Sequence, residues 1–248
     1  MIERAPNNSG HPSHLHVRVL KNFSGRHSFR LQAEIEIGAG ITILFGRSGA
    51  GKSTLLNCIA GITHPDEGRV TLGIGDDLRV LFDSQIRANL PASKRRIGYI
   101  FQNLALFPHL PVRQNVEYGI THLLPAERSR RSQAMLELFH VERLVSHFPD
   151  EISGGERQRV ALARTLVTEP AALLLDEPLS ALDVTTKNRI LEDFQQWNAA
   201  RNLPVLYVTH NRREALRLGQ RTVLLENGVV AADGDSHDVL KAELDAEE

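Results

Sequence analysis

The sequence predicts an α/β fold: a mostly parallel sheet covered by helices, with an antiparallel β subdomain near the N-terminus and a helical subdomain inserted further on. Three observations predict it. Short, continuously apolar runs recur at ITILF (41–45), IGYIF (97–101), AALLL (171–175) and VLYVT (205–209), several of them separated by helical patterns. Strands buried on both faces and alternating with helices are the mark of a parallel sheet. SFRLQAEIEI (28–37) instead alternates, with Phe29, Leu31, Ala33, Ile35 and Ile37 on one face. That period of two predicts a half-exposed antiparallel strand. Finally, residues 103–150 hold helix-forming stretches such as PAERSRRSQAMLELF (125–139) and no buried strand.

The remaining elements follow in order. Residues 1–14 carry Pro, Asn, Ser and Gly and read as a loose tail, so the folded domain is expected over 15–248. His11, His14 and His16 fall in or beside that tail and are read as tail residues, not metal ligands. TLLNCIAG (54–61) predicts a helix directly after a glycine-rich stretch. Asn227-Gly228, between two apolar runs, predicts a two-residue hairpin, and a short terminal helix is expected after Ser236.

The chain has 248 residues with 42% hydrophobic and 24% charged content, ordinary values for a globular domain. A net charge of −1 gives no general attraction to nucleic acid. One cysteine, Cys58, excludes an internal disulfide, fits a reducing compartment and reads as a small buried apolar residue. The sequence lacks an apolar run of spanning length, and MIERAPNNSGHPSH lacks the apolar middle of a signal peptide. A cytoplasmic protein, able to dock on a membrane partner, is expected.

GRSGAGKS (46–53) carries the chemistry. It matches G-x-x-x-x-G-K-[ST] between a buried strand and a helix, the context that gives the motif meaning. This predicts a P-loop nucleoside triphosphatase core. Gly46, Gly49 and Gly51 let the backbone N–H groups of a loop that includes Arg47, Ser48 and Ala50 converge on phosphate oxygens. Lys52 can reach the β- and γ-phosphates, Ser53 can ligate Mg²⁺, and Thr54 is placed for the α-phosphate. ALLLDEP (172–178) ends a buried strand with two acids. Asp176 suits the metal, and Glu177 suits a base that orients and deprotonates water. His210 ends the strand 205–209, at the sheet edge where ligands gather, and is a candidate sensor of the γ-phosphate.

EISGGERQRVALAR (151–164) holds a second glycine turn without a lysine. Ser153 can cap a helix whose first N–H groups belong to Gly154 and Gly155, and such an end attracts an anion.

Together these pieces resemble the ATP-binding cassette family of transport ATPases. The resemblance runs from about residue 15 to 240 and rests on GRSGAGKST (46–54), Gln102 in GYIFQN, ISGGERQR (152–159), LLLDEP (173–178), SALD (180–183) and His210. Ile152 stands where the family usually has leucine. The resemblance implies a homodimer with two ATP molecules buried between head-to-tail copies, Ser153, Gly154 and Gly155 of one copy meeting the γ-phosphate held by Lys52 of the other. It implies that Gln102 links metal and attacking water to a membrane partner, and that Asp183 acts across the dimer contact. Phe23, 23 residues before Gly46, has a spacing similar to that of the family's adenine-stacking aromatic.

Within the family, the segments 40–61 and 94–119 look most like molybdate-type anion importers, whose partners are transmembrane permease subunits and a separate substrate-binding protein. Leu106-Phe107-Pro108-His109 lies where family members contact the transmembrane subunit. Many molybdate-type ATPases add a C-terminal oxyanion-binding domain. Here 38 residues follow His210, so oxyanion feedback through this chain is not expected. A GTPase would need an [NT]-K-x-D motif, and TKNR (186–189) lacks the aspartate. A non-transport cassette, switching a soluble partner with ATP, is the alternative.

Overall fold

The computed structural model describes residues 13–25, 28–74 and 77–245. In chain order its elements are β1 (His14–Phe23), β2 (Phe29–Ile37), β3 (Gly40–Phe45), α1 (Lys52–Ala60), β4 (Glu67–Ile74), β5 (Asp77–Asp83), β6 (Ala88–Asn89), β7 (Ile97–Ile100) and α2 (Val112–Glu117). There follow α3 (Pro125–Leu138), α4 (Gly154–Leu166), β8 (Ala172–Asp176), α5 (Val184–Ala199), β9 (Pro204–Val208), α6 (Arg212–Leu218), β10 (Arg221–Glu226), β11 (Val229–Asp235) and α7 (Ser236–Asp245). Two compact units share them. One takes the chain up to Ile97, Ala171–Asp176 and the chain from Asn198; the other takes Gly98–Pro170 and Glu177–Trp197.

In the first unit the strands hydrogen-bond in the order β6-β5-β4-β1-β2-β11-β10-β3-β9-β8. β10, β3, β9 and β8 run parallel, whereas β1, β2, β4, β5 and β6 pair antiparallel. This is the fold class expected from the sequence. The periodicities explain the division. Leu173, Leu174, Leu175, Val205, Leu206 and Val208 are wholly buried, as strands covered on both faces require. In β2, Leu31, Ala33, Ile35 and Ile37 are buried and the intervening residues exposed. Each such Leu, Ile or Val side chain contributes roughly 1.5–3 kcal/mol on burial.

The structure also contains β1, β4 and β5, which the sequence reading did not identify. His11 and residues 1–10 of the expected tail lie outside the described residues, but His14 opens β1 and pairs with Gly73. The hairpin is where it was expected. Glu226 pairs with Val229, and Asn227 and Gly228 both have positive φ, 48° and 82°, as a two-residue turn of this hand demands. Its backbone is tied on two sides: Gly228 N–H donates to Ala50 O at 3.0 Å, and Gln32 N–H donates to Gly228 O at 2.7 Å.

The second unit is helical. α2, α3 and α4 pack on one another around Val112, Val116, Leu136, Phe139, Val141 and Val160, all fully buried. α3 starts on Pro125, which needs no amide partner at that position. Glu127 in its first turn lies 2.9 Å from Arg130 and 2.5 Å from Arg131. Hydrogen bonds from those two guanidinium groups pull its pKa down to about 2.

Candidate functional site

The expected site residues fall in both units. In the first, β3 delivers the chain to Gly46, where φ is +150° and a Cβ would lie 2.2 Å from Leu225 O. Only glycine passes that carbonyl. Gly46→Ala is therefore expected to abolish nucleotide binding and to destabilise the fold, by roughly 2–4 kcal/mol on the scale of severe backbone strain. Nucleotide titration and thermal melting check both. Gly51 precedes α1 with φ 104°, and a Cβ there would meet the Phe29 ring at 2.7 Å. No side chain caps α1 and no acid occupies its first turn, so its positive end faces whatever the loop holds. Lys52 is nearly buried, and its Nζ donates to Gly46 O at 2.7 Å and Arg47 O at 2.9 Å, which aims the ammonium back over the loop. Ala50 N–H donates to Arg47 O at 3.2 Å, tightening the turn that Ser48 and Gly49 complete.

Strand register brings Asp176 and the histidine to this edge. Val208 of β9 pairs with Leu44 on one side and Asp176 on the other. Gly46 and His210 thus each lie two residues beyond the paired positions, and Glu177 one beyond. Ser53 Oγ donates to Asp176 Oδ2 at 2.8 Å, and Asp176 is buried. A hydroxyl and a carboxylate at that separation are hard oxygen donors. They fit Mg²⁺, which takes one or two protein oxygens and completes its shell with water and phosphate. His210 itself is exposed. Thr54 follows Ser53 in the first turn of α1.

Phe23 ends β1, 40% exposed, with its ring 6.3 Å from that of Phe29. Lys21 Nζ lies 5.7 Å from the Phe23 ring centre and is held by Asp66 at 2.7 Å. Since Phe29 also abuts Gly51, an exposed aromatic surface stands beside the phosphate loop.

The second unit holds Gln102, Ser153, Gly154, Gly155, Glu177 and Asp183. Ser153 caps α4 as expected. Its Oγ accepts from Glu156 N–H at 3.3 Å and donates to Glu156 Oε2 at 2.7 Å, while Ser153 N–H donates to the same oxygen at 2.8 Å. The Ser153 hydroxyl, followed by its N–H, holds the Glu156 carboxyl below the usual range. A Cβ on Gly155 would lie 2.6 Å from Leu182 Cδ2, so glycine there permits close approach of the segment 180–183. Gln158 fixes that approach, donating to Ser180 Oγ and accepting from Ala181 N–H, both at 3.1 Å. Asp183 accepts from Thr185 and Thr186 N–H at 3.0 Å and so caps α5; the Thr186 amide leads the groups that lower its pKa. Glu177 has φ 48°, a left-handed conformation rarely adopted by a residue with a side chain.

Gln102 is exposed after β7. The segment behind it is built with care. Asn115, fully buried, accepts from Phe107 N–H at 2.9 Å and donates to Phe107 O at 3.0 Å and Leu110 O at 2.7 Å. Arg164 donates to Leu104 O and Ala105 O, both at 2.7 Å, and lies over the Phe107 ring. Sequence reasoning missed Gln158, Asn115 and Glu214. Each is a polar residue on a helix whose inward direction only the packing reveals; for Glu214, the one local signal was Asn211, three residues earlier, as a helix cap.

The family model described as ABC transporter matches residues 31–180. The chain is 45% identical over 206 residues to the molybdenum import ATP-binding protein ModC of Paramagnetospirillum magneticum, covering 83% of this chain and 56% of that protein. It is 42% identical over 219 residues to ModC of Haemophilus influenzae, covering 88% and 59%. The chain thus spans little more than half the length of these curated relatives. Among solved structures, the dimeric bacterial ABC transporter cassette MJ0796 superimposes with a TM-score of 0.77 at 31% identity, covering 90% of this chain and 98% of that one. A post-hydrolysis dimer of MJ0796 bound to ADP and Pi matches equally well. Among the described residues, no helix is long and apolar enough to cross a membrane.

Proposed function

Because the chain belongs to the ABC transporter family, we propose that it is the ATP-hydrolysing subunit of an importer for molybdate or a related oxyanion. It works on the cytoplasmic face of the membrane as a homodimer, with permease subunits and a separate substrate-binding protein. The observation that carries the ATPase reading is the 2.8 Å contact of Ser53 with Asp176 beside a loop that tolerates only glycine at position 46. The cargo reading rests on 42–45% identity to molybdenum import proteins over most of this chain.

In this reading Phe23 stacks on adenine, and the amides of Gly46–Thr54 with the α1 terminus hold the phosphates. Lys52 neutralises charge on the β- and γ-phosphates. Ser53 and Asp176, with Gln102, would hold Mg²⁺, which when bound neutralises phosphate charge further. Glu177 accepts a proton from water. The water oxygen bonds to the γ-phosphorus as the bond to the bridging oxygen breaks, and ADP leaves with that electron pair. His210 and Ser153 of the partner subunit stabilise the charge on the transferring group. Asp183 braces the dimer contact. The cassette is taken to begin with β1 at His14, one residue before the 15–248 expected from the sequence, with 103–150 as its helical subdomain. Motion reaches the permease through Gln102 and the built segment Leu104–Leu110.

The test is ATPase activity of the reconstituted complex. Molybdate with its binding protein is expected to raise turnover several-fold, more than sulfate does. A chain that co-purifies only with a soluble partner, or whose turnover ignores every oxyanion, overturns the importer reading.

A further inference from the structure

The chain around His210 is held by a buried carboxylate. Glu214, on α6, is 8% exposed. Its Oε1 accepts from Tyr207 Oη, and its Oε2 accepts from Thr209 Oγ1 at 2.9 Å. Thr209 Oγ1 in turn accepts from Asn211 N–H at 3.0 Å, and Asn211 Oδ1 accepts from Glu214 N–H at 3.1 Å. Tyr207 and Thr209 are essentially buried, at 1% and 3% exposure. A closed ring of hydrogen bonds therefore pins the residues on both sides of exposed His210, one at the strand end and one at the helix cap. α6 itself packs on β3, the strand that feeds the phosphate loop. Just past its end, a Cβ on Gly219 would fall 2.3 Å from Ile43 Cγ1, so the approach is close.

We infer that Glu214 is a positioning residue for His210: through Tyr207, Thr209 and Asn211 it sets where the imidazole stands at the edge of the phosphate loop. The inference rests on the reading of His210 as a γ-phosphate contact. A helix cap alone would need only Asn211. A carboxylate that also takes both hydroxyls of the strand end does more than that, because a buried polar network with every member satisfied rigidifies the segments it joins. Here it fixes the backbone on both sides of exposed His210. Small displacements of a group that meets the transition state cost up to about 10²-fold in rate.

Four variants test this: Glu214→Gln, Thr209→Val, His210→Ala and His210→Ala/Glu214→Gln. Turnover, KM for ATP and melting temperature are measured on the whole chain, with imidazole NMR of His210. Glu214→Gln and Thr209→Val are expected to lower kcat about tenfold or more with KM within about twofold, and to shift or broaden the His210 resonances. Thr209→Val keeps the strand's shape and serves if Glu214→Gln folds poorly. In the His210→Ala background Glu214→Gln should cost nothing further. An equal loss in both backgrounds, or normal kcat in Glu214→Gln and Thr209→Val alongside a crippled His210→Ala, overturns the positioning role alone. Normal turnover in His210→Ala overturns the reading of His210 beneath it.

Discussion

Replacing Glu177 with glutamine is expected to lower ATP turnover by about 10²–10⁴-fold while leaving ATP binding intact. The side chain keeps its size and its ability to orient water, but it cannot accept a proton. Its surroundings favour this role. Asp176, one residue earlier, is fixed by Ser53 and by strand pairing with Val208, and Pro178 stiffens the chain one residue later. Glu177 itself sits at φ 48°. A non-glycine residue in that region costs of order 1 kcal/mol or more, and such a conformation turns the side chain away from the direction β8 would otherwise give it. With the chemical step blocked, ATP should hold two copies together, so size-exclusion with ATP should show a stable dimer of the variant where wild type disperses. Phosphate release at the wild-type rate would mean that the proton goes to another group.

Arg95 carries the second large effect, on stability. It is wholly buried. Its guanidinium donates to Ile59 O at 2.7 Å, Cys58 O at 3.1 Å, Leu90 O at 2.8 Å and Asn89 Oδ1 at 2.9 Å. Burial lowers its pKa, yet arginine keeps its charge. The charge lies against the last carbonyls of α1, where the helix dipole favours a cation. Gly61 makes room, since a Cβ there would come within 2.5 Å of the guanidinium. Arg95→Met would leave Ile59 O without this donor and Cys58 O with only Gly61 N–H, and would strip the half-buried oxygens of Leu90 and Asn89, a buried orphan costing about 1–3 kcal/mol before relaxation. A net loss of about 3–5 kcal/mol is expected, or a fall in Tm of roughly 10 °C for a domain of this size. ATP should bind more weakly as well, because α1 carries Lys52 and Ser53. Arg95→Lys keeps the charge but not the fork, and should recover only part. A melting temperature within 2 °C of wild type for Arg95→Met would refute this account.

What the sequence revealed, and what it hid, divides along a physical line. The glycine loop was legible because its pattern is local: the glycines, Lys52 and Ser53 lie within nine consecutive residues. The hairpin at Asn227-Gly228 was legible for the same reason. Ser153 as a cap was legible from Ser153-Gly154-Gly155 at the head of a helical stretch. β1 was missed although Leu15, Val17 and Val19 alternate with His16 and Arg18, because its start merged with a polar tail and one of its partners, β4, lies some fifty residues away. Arg95 stands in the run KRR and reads as surface charge. Only the end of α1 and the oxygens at residues 89 and 90, brought together by the fold, make it interior. Glu214 likewise reads as one more charge on an exposed helix until Tyr207 and Thr209 are seen beneath it.

The turn at Asn227-Gly228 has a practical consequence. Reverse turns between exposed strands are ordinarily where a chain accepts an epitope, a fluorophore or a permutation break. This one is wedged: Gly228 bonds to Ala50 and Gln32, and a side chain on it would strike Arg30 O at 1.9 Å. The ornamental-looking tip is a clamp on the nucleotide loop, so its length and its glycine are as constrained as the loop's own, and grafts belong on some other part of the molecule.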